Sequence, residues 1–454
     1  MGSTADHREA PPHAAVRRPP SRQELGSRLP WALTVVLAVG LLYTWLAPAG
    51  QPAGVANQQL HSGAAGTAAA SHGGGSWPTT GDTIHTILAS NGGPYINYQT
   101  LALYGSWRRV RRMPGGEKMV AFTRILHRTA HDELSAFVPT VKVQPKHPEC
   151  DGREAEPGRR WVTECKWPPA NRINATAQFF QAVLADPSLV KAPYLYYIEP
   201  DFLLVKPVVA PGPAEGAAPA LGFFYPNVFP EYPQWKDLIT RKLFPPGLGP
   251  LSAVPRSGPA PVVMRVADWV RAAPRWVDIA DQMETEPELV KGLDWVRDMY
   301  SFCIAMAVER IPLRLEGGMR STLIVLPPAA NGLGSATGLH YTYASRIRWA
   351  ANASLAWQFE KRAWTRQRIM EEVPPVPLPP PWQPGLLIGP GDNKPPLSKE
   401  QHELFTLLAE TFNRGLEEVG GKNFREVLGP GAEPAREIPA PAAAAAAAAT
   451  SGVG

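Results

Sequence analysis

Apolar positions in this chain fall into short runs and helical spacings punctuated by turn residues. TIHTILAS, Thr83 to Ser90, reads as a strand closed by Asn91-Gly-Gly-Pro, and Tyr95 to Arg111 has the apolar spacing of a helix with a basic end. KMVAFTRIL, Lys118 to Leu126, predicts a second strand, and Ala175 to Leu184, followed by Pro187, predicts a helix that stops. YLYYIEPDFLLV, Tyr194 to Val205, predicts a third strand, continuous and apolar as strands covered on both faces are. Strand, turn and helix in alternation predict an α/β domain with a mostly parallel central sheet, which binds ligands at the carboxyl ends of its strands. Further on, Ser398-x-x-Gln401 is a capping-box pattern opening a helix whose Leu404, Leu407, Leu408, Phe412 and Leu416 form one apolar face.

One apolar run differs in kind. WALTVVLAVGLLYTWLA, Trp31 to Ala47, is uncharged, follows Arg8, Arg17, Arg18, Arg22 and Arg28, and precedes no charge until Asp82. This asymmetry predicts a single N-terminal transmembrane helix with the N-terminus in the cytosol and the rest across the membrane. Its length is at the short end for a spanning helix and suits a thin early-secretory bilayer. A cleaved signal peptide is the alternative; the long polar lead and the lack of a clear small-x-small cleavage site weigh against it. The expected organisation is a cytosolic tail over 1–28, a signal anchor over 29–48, a flexible stem over 49–80, one catalytic domain over 81–425 and a low-complexity Pro/Ala tail over 426–454.

Composition narrows the partners. With 45 Lys and Arg against 40 Asp and Glu, the net charge of +5 comes without a basic run interleaved with aromatics, which argues against nucleic acid. Cys150 and Cys165 flank a charged loop that a disulfide could close in an oxidising lumen, whereas Cys303 in YSFCIAMAV reads as a buried free thiol. Asn174-Ala-Thr176 and Asn352-Ala-Ser354 match the N-glycosylation triplet, which is common by chance.

The third strand carries the candidate chemistry. Glu199 and Asp201 stand two apart on an extended chain, so they face one way, and Pro200 between them withholds a ladder donor. Two readings stay open on spacing alone: a strand-end turn whose acids cap neighbouring amides, or two hard oxygen ligands for Mg²⁺ or Mn²⁺ bridging a diphosphate. In a lumenal protein the pattern resembles the acid-x-acid element of sugar-nucleotide glycosyltransferases with the GT-A fold.

FTRILH (Phe122 to His127), IEPDFLLVKP (Ile198 to Pro207), PVVM (Pro261 to Met264), LDWVRDMYSF (Leu293 to Phe302), HYTY (His340 to Tyr343) and WQFEKRAW (Trp357 to Trp364), followed by PLPPPWQP, form an ordered set. From about Thr83 to about Leu416 the chain resembles the plant and green-algal hydroxyproline O-arabinosyltransferases. The resemblance implies a GT-A-like, single-pass type II enzyme of the Golgi membrane, or of the cis-Golgi and ER, with its catalytic domain lumenal. It implies transfer of L-arabinofuranose, with retention, from UDP-β-L-arabinofuranose to hydroxyproline in extensin-like cell-wall glycoproteins. Glu199, Asp201 and His340 would then hold Mn²⁺ (or Mg²⁺), the two acids also meeting the donor diphosphate.

Other roles follow the same resemblance. Asp298, and Asp294 one helical turn before it, would sit beside the reacting sugar; the alternative is a solvated helix face. Arg124 and Lys361 are candidates for diphosphate charge or, equally, structural ion-pair partners. Trp276, Trp295, Trp357 and Trp364 are candidates for stacking on sugar or proline rings, or core. The chain departs from the pattern at Phe202, where members carry His, in the extra stretch Val208 to Pro219, and in the segment after Tyr343. Two rival functions are a galactosyltransferase acting on peptidyl serine or hydroxyproline and a catalytically silent lumenal binder of proline-rich chains.

Overall fold

The first predicted strand forms as β1 (Ile84–Ser90) and is buried along its whole length, which requires cover on both faces. Its side chains alternate between two apolar layers: Ile84 and Leu88 enter one, Ile87 and Ala89 the other. The computed structural model describes residues 76–151, 167–220, 233–317, 321–364, 375–389, 395–430 and 435–439, all within one compact unit, Ala68–Gly454. The expected anchor Trp31 to Ala47, nearly all of the stem, and Cys165 lie outside the described residues, and no described helix is long and apolar enough to cross a membrane.

After β1 come α1 (Pro94–Arg111), β2 (Met119–His127), β3 (Thr140–Val143), α2 (Pro169–Ala185), β4 (Tyr194–Ile198), β5 (Phe202–Leu204), β6 (Gly216–Pro219) and α3 (Pro233–Lys242). The second half contains β7 (Val262–Arg265), α4 (Val266–Glu284), α5 (Pro287–Leu293), α6 (Arg297–Val308), β8 (Leu313–Glu316), β9 (Ile324–Val325) and β10 (Gly338–His340). A β11 (Ser345–Trp349), β12 (Leu355–Phe359) and β13 (Leu386–Ile388) meander precedes α7 (Lys399–Glu418), α8 (Phe424–Leu428) and β14 (Arg436–Glu437).

Eight strands form the main sheet in the order β14-β3-β2-β1-β4-β7-β6-β8. The run from β14 to β4 is parallel, β7 is antiparallel to both its neighbours, and β6 and β8 are parallel to each other. This is the mixed α/β architecture, mostly parallel, that the alternating pattern predicts. One face carries α1 and α7; the other carries α2, α4 and α6, whose Phe179, Phe180, Trp269, Trp276 and Phe302 fill the layer. The helix α7 opens on Ser398 with the full capping box. It packs on α1 at paired glycines: a Cβ on Gly105 would lie 1.8 Å from the Gly415 carbonyl oxygen, so only glycine permits the approach.

Two expectations change, and one departure finds its place. YLYYIEPDFLLV is two strands in two sheets, because β4 leaves the main sheet at Glu199 and β5 pairs antiparallel with β10. The extra stretch Val208 to Pro219 ends as β6, a strand of the main sheet. The expected tail from 426 onward contributes β14, which pairs with β3 through Arg436↔Val141 and Glu437↔Lys142.

Candidate functional site

The carboxyl end of β4 is where two sheets part, and the turn Glu199-Pro200-Asp201 spans the gap. Proline at that point cannot extend the ladder, so the chain turns and the two acids stay on the edge. Register then brings a distant residue to them: β10 pairs His340 with Phe202. The His340 Nε2 lies 3.4 Å from Asp201 Oδ1 and 3.6 Å from Glu199 Oε2. One ligand atom from each of the three side chains lies within 4.8 Å of the others, and all three residues are partly buried. Two carboxylates and an imidazole are a donor set that could hold a divalent metal ion.

Aromatic and polar neighbours fix this cluster. The Phe202 ring, fully buried, stacks on His340 with centroids 4.2 Å apart and planes at 20°. Thr342 Oγ1 is 2.7 Å from His340 Nε2, and the Tyr341 amide donates to the Asp201 carbonyl at 3.1 Å. Lys361 Nζ meets Asp201 Oδ2 at 2.5 Å, while the Tyr98 hydroxyl donates to the Lys361 carbonyl at 2.5 Å. Burial opposes ionisation of Asp201, yet Lys361 and His340 beside it hold its carboxyl well below the usual carboxylate range. Burial likewise works to lower the Lys361 ammonium, and Asp201 outweighs it, so its pKa is raised.

The other predicted residues separate. Asp298, in the first turn of α6, is 2% exposed and points into the site, where it pairs with Arg172 of α2. Arg172 is the functional candidate that the sequence reading missed: the same guanidinium also pairs with Glu199. Asp294 does not share a helix face with Asp298, because the chain breaks there at φ 40° and the Asp294 side chain is exposed. Arg124 is fully buried and takes its structural alternative. Its Nε donates to Thr140 Oγ1, its Nη1 to Asn97 Oδ1 and Asp132 Oδ2, and its Nη2 to Asp132 Oδ1 and Ser135 Oγ. Five contacts match the five donors of a guanidinium, leaving none for a phosphate.

The tryptophans also sort. Trp276 is core, its Nε1 donating to the Asp298 carbonyl and to Ser301 Oγ, and Trp357 stacks on Phe405. Trp295 is 54% exposed, between Asp294 and Asp298, while the Trp364 side chain lies outside the described residues. Cys303 is free and buried, donating to the Ser257 carbonyl, and burial pushes its thiol up to about 12. The Thr176 hydroxyl of the first glycosylation triplet is buried in α2 against Tyr197, whereas Asn352 to Ser354 form an exposed turn between β11 and β12.

Comparison with known proteins gives the family of the chain. Residues 84–315, just over half of the 454, match the Hydroxyproline O-arabinosyltransferase family N-terminal domain. The chain is 28% identical over 300 residues to hydroxyproline O-arabinosyltransferase 3 of Arabidopsis thaliana, covering 64% of this chain and 75% of that one. It is 29% identical over 308 residues to hydroxyproline O-arabinosyltransferase RDN2 of Medicago truncatula, covering 66% and 76%, and 28% identical over 316 residues to PLENTY of Lotus japonicus, covering 68% and 78%. The family match and these relatives define the class of the protein, a glycosyltransferase of the pentose-transferring kind. More narrowly, the chain belongs to the hydroxyproline O-arabinosyltransferase family.

Proposed function

We propose that the protein moves L-arabinofuranose from UDP-β-L-arabinofuranose to hydroxyproline in extensin-like glycoproteins, with retention, in a cation-dependent reaction in the Golgi lumen. The observation that carries this reading is the convergence of Glu199, Asp201 and His340 on one point at the end of β4. A cation held there would neutralise charge on the leaving diphosphate. Lys361 supports the same task from the Asp201 side, its ammonium kept charged by that carboxylate. Phe202 stacks on the His340 ring and holds its orientation, which supports an active site over the silent-binder alternative. Trp295, exposed three residues before Asp298, offers a flat apolar face for a proline ring of the acceptor. We place the anchor at Trp31 to Ala47, as the arginine asymmetry supports.

The test is transfer by the purified protein with Mn²⁺ and a hydroxyproline-rich peptide, offering UDP-L-arabinofuranose beside UDP-galactose and reading the product by mass. A pentose added only with the cation is the expected outcome. A hexose would move the protein to a galactosyl donor, and peptide binding without transfer would favour the silent binder.

A further inference from the structure

Two arginines near the carboxyl edge of the sheet differ in how they are satisfied: Arg124, fully buried, has all its donors matched, and Arg172, partly buried, does not. Arg172 reaches from α2 between Glu199 and Asp298, one guanidinium nitrogen on each. Its Nε is buried and has no hydrogen-bond partner among the described residues. Asp298 is the fixed end of this arrangement, since its other oxygen, Oδ1, accepts from the Met299 amide at 2.8 Å and the carboxylate is almost wholly enclosed. Glu199 is the exchangeable end: it is more exposed, and its second oxygen, Oε2, faces His340.

Resting on the cation-dependent reading above, we propose that Arg172 is a diphosphate-binding residue hinged on Asp298, and that Glu199 occupies the phosphate's place until a cation and donor arrive. Three carboxylates (Glu199, Asp201 and Asp298) here meet two fixed cations (Arg172 and Lys361), an excess of one negative charge when the His340 imidazole is neutral, as a metal ligand must be. A divalent cation drawn to Glu199 reverses that excess and frees one arm of the guanidinium. A diphosphate ester bearing two negative charges then restores the balance, and the planar fork of arginine matches phosphate oxygens. Arg172 thereby takes the role for which Arg124 was one candidate.

Titrations with MnCl₂ alone and with UDP at saturating Mn²⁺ test this in wild type and Arg172→Ala, without relying on turnover. Arg172→Ala is expected to weaken UDP by about 10- to 100-fold, the loss typical of a hydrogen bond to a charged group. Binding of Mn²⁺ alone should be unchanged or tighter, because a competing cation has gone. UDP affinity within about 3-fold of wild type would overturn the proposal, as would a parallel loss of Mn²⁺, which would mark Arg172 as a mere support for Glu199. If Arg172→Ala does not fold, Arg172→Gln keeps a donor for Asp298 and is read the same way. A wild-type protein that binds neither Mn²⁺ nor UDP overturns the underlying reading as well, whereas normal wild-type binding with an indifferent variant overturns this one alone.

Discussion

Arg124, fully buried, and Arg172, partly buried, are both paired with aspartate and opposite in what surrounds them. Around Arg124, the carboxylate of Asp132 accepts from the guanidinium, from Asn97 and from Ser135, and Asn97 and Arg128 both donate to the Gly92 carbonyl. That network ties the β1–α1 loop to β2 with every donor of the guanidinium used. Around Arg172, a donor is orphaned and three acids crowd two cations. A buried polar network that is fully satisfied rigidifies a fold, and one left incomplete is where a ligand completes it. The two surroundings differ in satisfaction, complete around Arg124 and incomplete around Arg172, and the proposal for Arg172 rests on that difference.

The comparison is open to attack. The largest effect expected is on the Arg124 side: Arg124→Ala leaves Asp132 buried and unpaired and should cost about 3–5 kcal/mol in urea unfolding, with transfer per folded molecule little changed. A large loss of transfer at full stability would place Arg124 in the site after all. Next, Glu199→Gln or Asp201→Asn should lower cation-dependent transfer by about 10²- to 10³-fold, the scale of removing one transition-state charge partner, while the melting temperature holds. Equal activity in either variant would sink the cluster as the working site. Smaller again, Phe202→Ala should weaken Mn²⁺ binding by about 10-fold, as loss of support behind a ligand does; unchanged binding would reduce the stacked ring to packing.

A pH series sharpens the same contrast. Burial raises the Asp132 carboxyl, but Arg124 and the hydrogen bonds to Asn97 and Ser135 outweigh it, so its pKa falls below the ordinary 3.8. A depressed acid contributes stability that is present above the unfolded value and lost as pH falls through the folded one. Asp132→Asn should therefore flatten the acid limb of stability below about pH 4, and an identical limb in the variant would assign acid unfolding to other groups.

What the sequence revealed followed from local pattern. Acids inside an apolar run marked Glu199 and Asp201, and β1, α1, β2 and α7 fall where period and caps put them. What it concealed was long-range pairing. The run YLYYIEPDFLLV looks unbroken because the partner that pulls β5 away, β10, lies far along the chain. Arg172 sits in a helix with no local sign of its use, since its partner Asp298 is 126 residues away. Arg124 and a phosphate-binding arginine look alike until Asp132, eight residues on, is seen to fold back on it. Asp294 and Asp298 have helical spacing, and only the positive φ at Asp294 breaks the face they would share.

The short strand β14 has a consequence for handling the protein. The outer edge of β3 would offer free amides and carbonyls to any extended chain, the usual route to strand-mediated aggregation. Arg436–Glu437 covers that edge, the Ile438 amide donates to the Lys142 carbonyl at 2.9 Å, and Glu437 meets the almost fully buried Lys142 ammonium at 2.6 Å. A chain trimmed before Arg436 would keep every residue of the candidate site and still uncover a sticky edge with a stranded ammonium beneath it. Such a trimmed chain is expected to lose solubility before it loses activity, which light scattering beside a transfer assay would read.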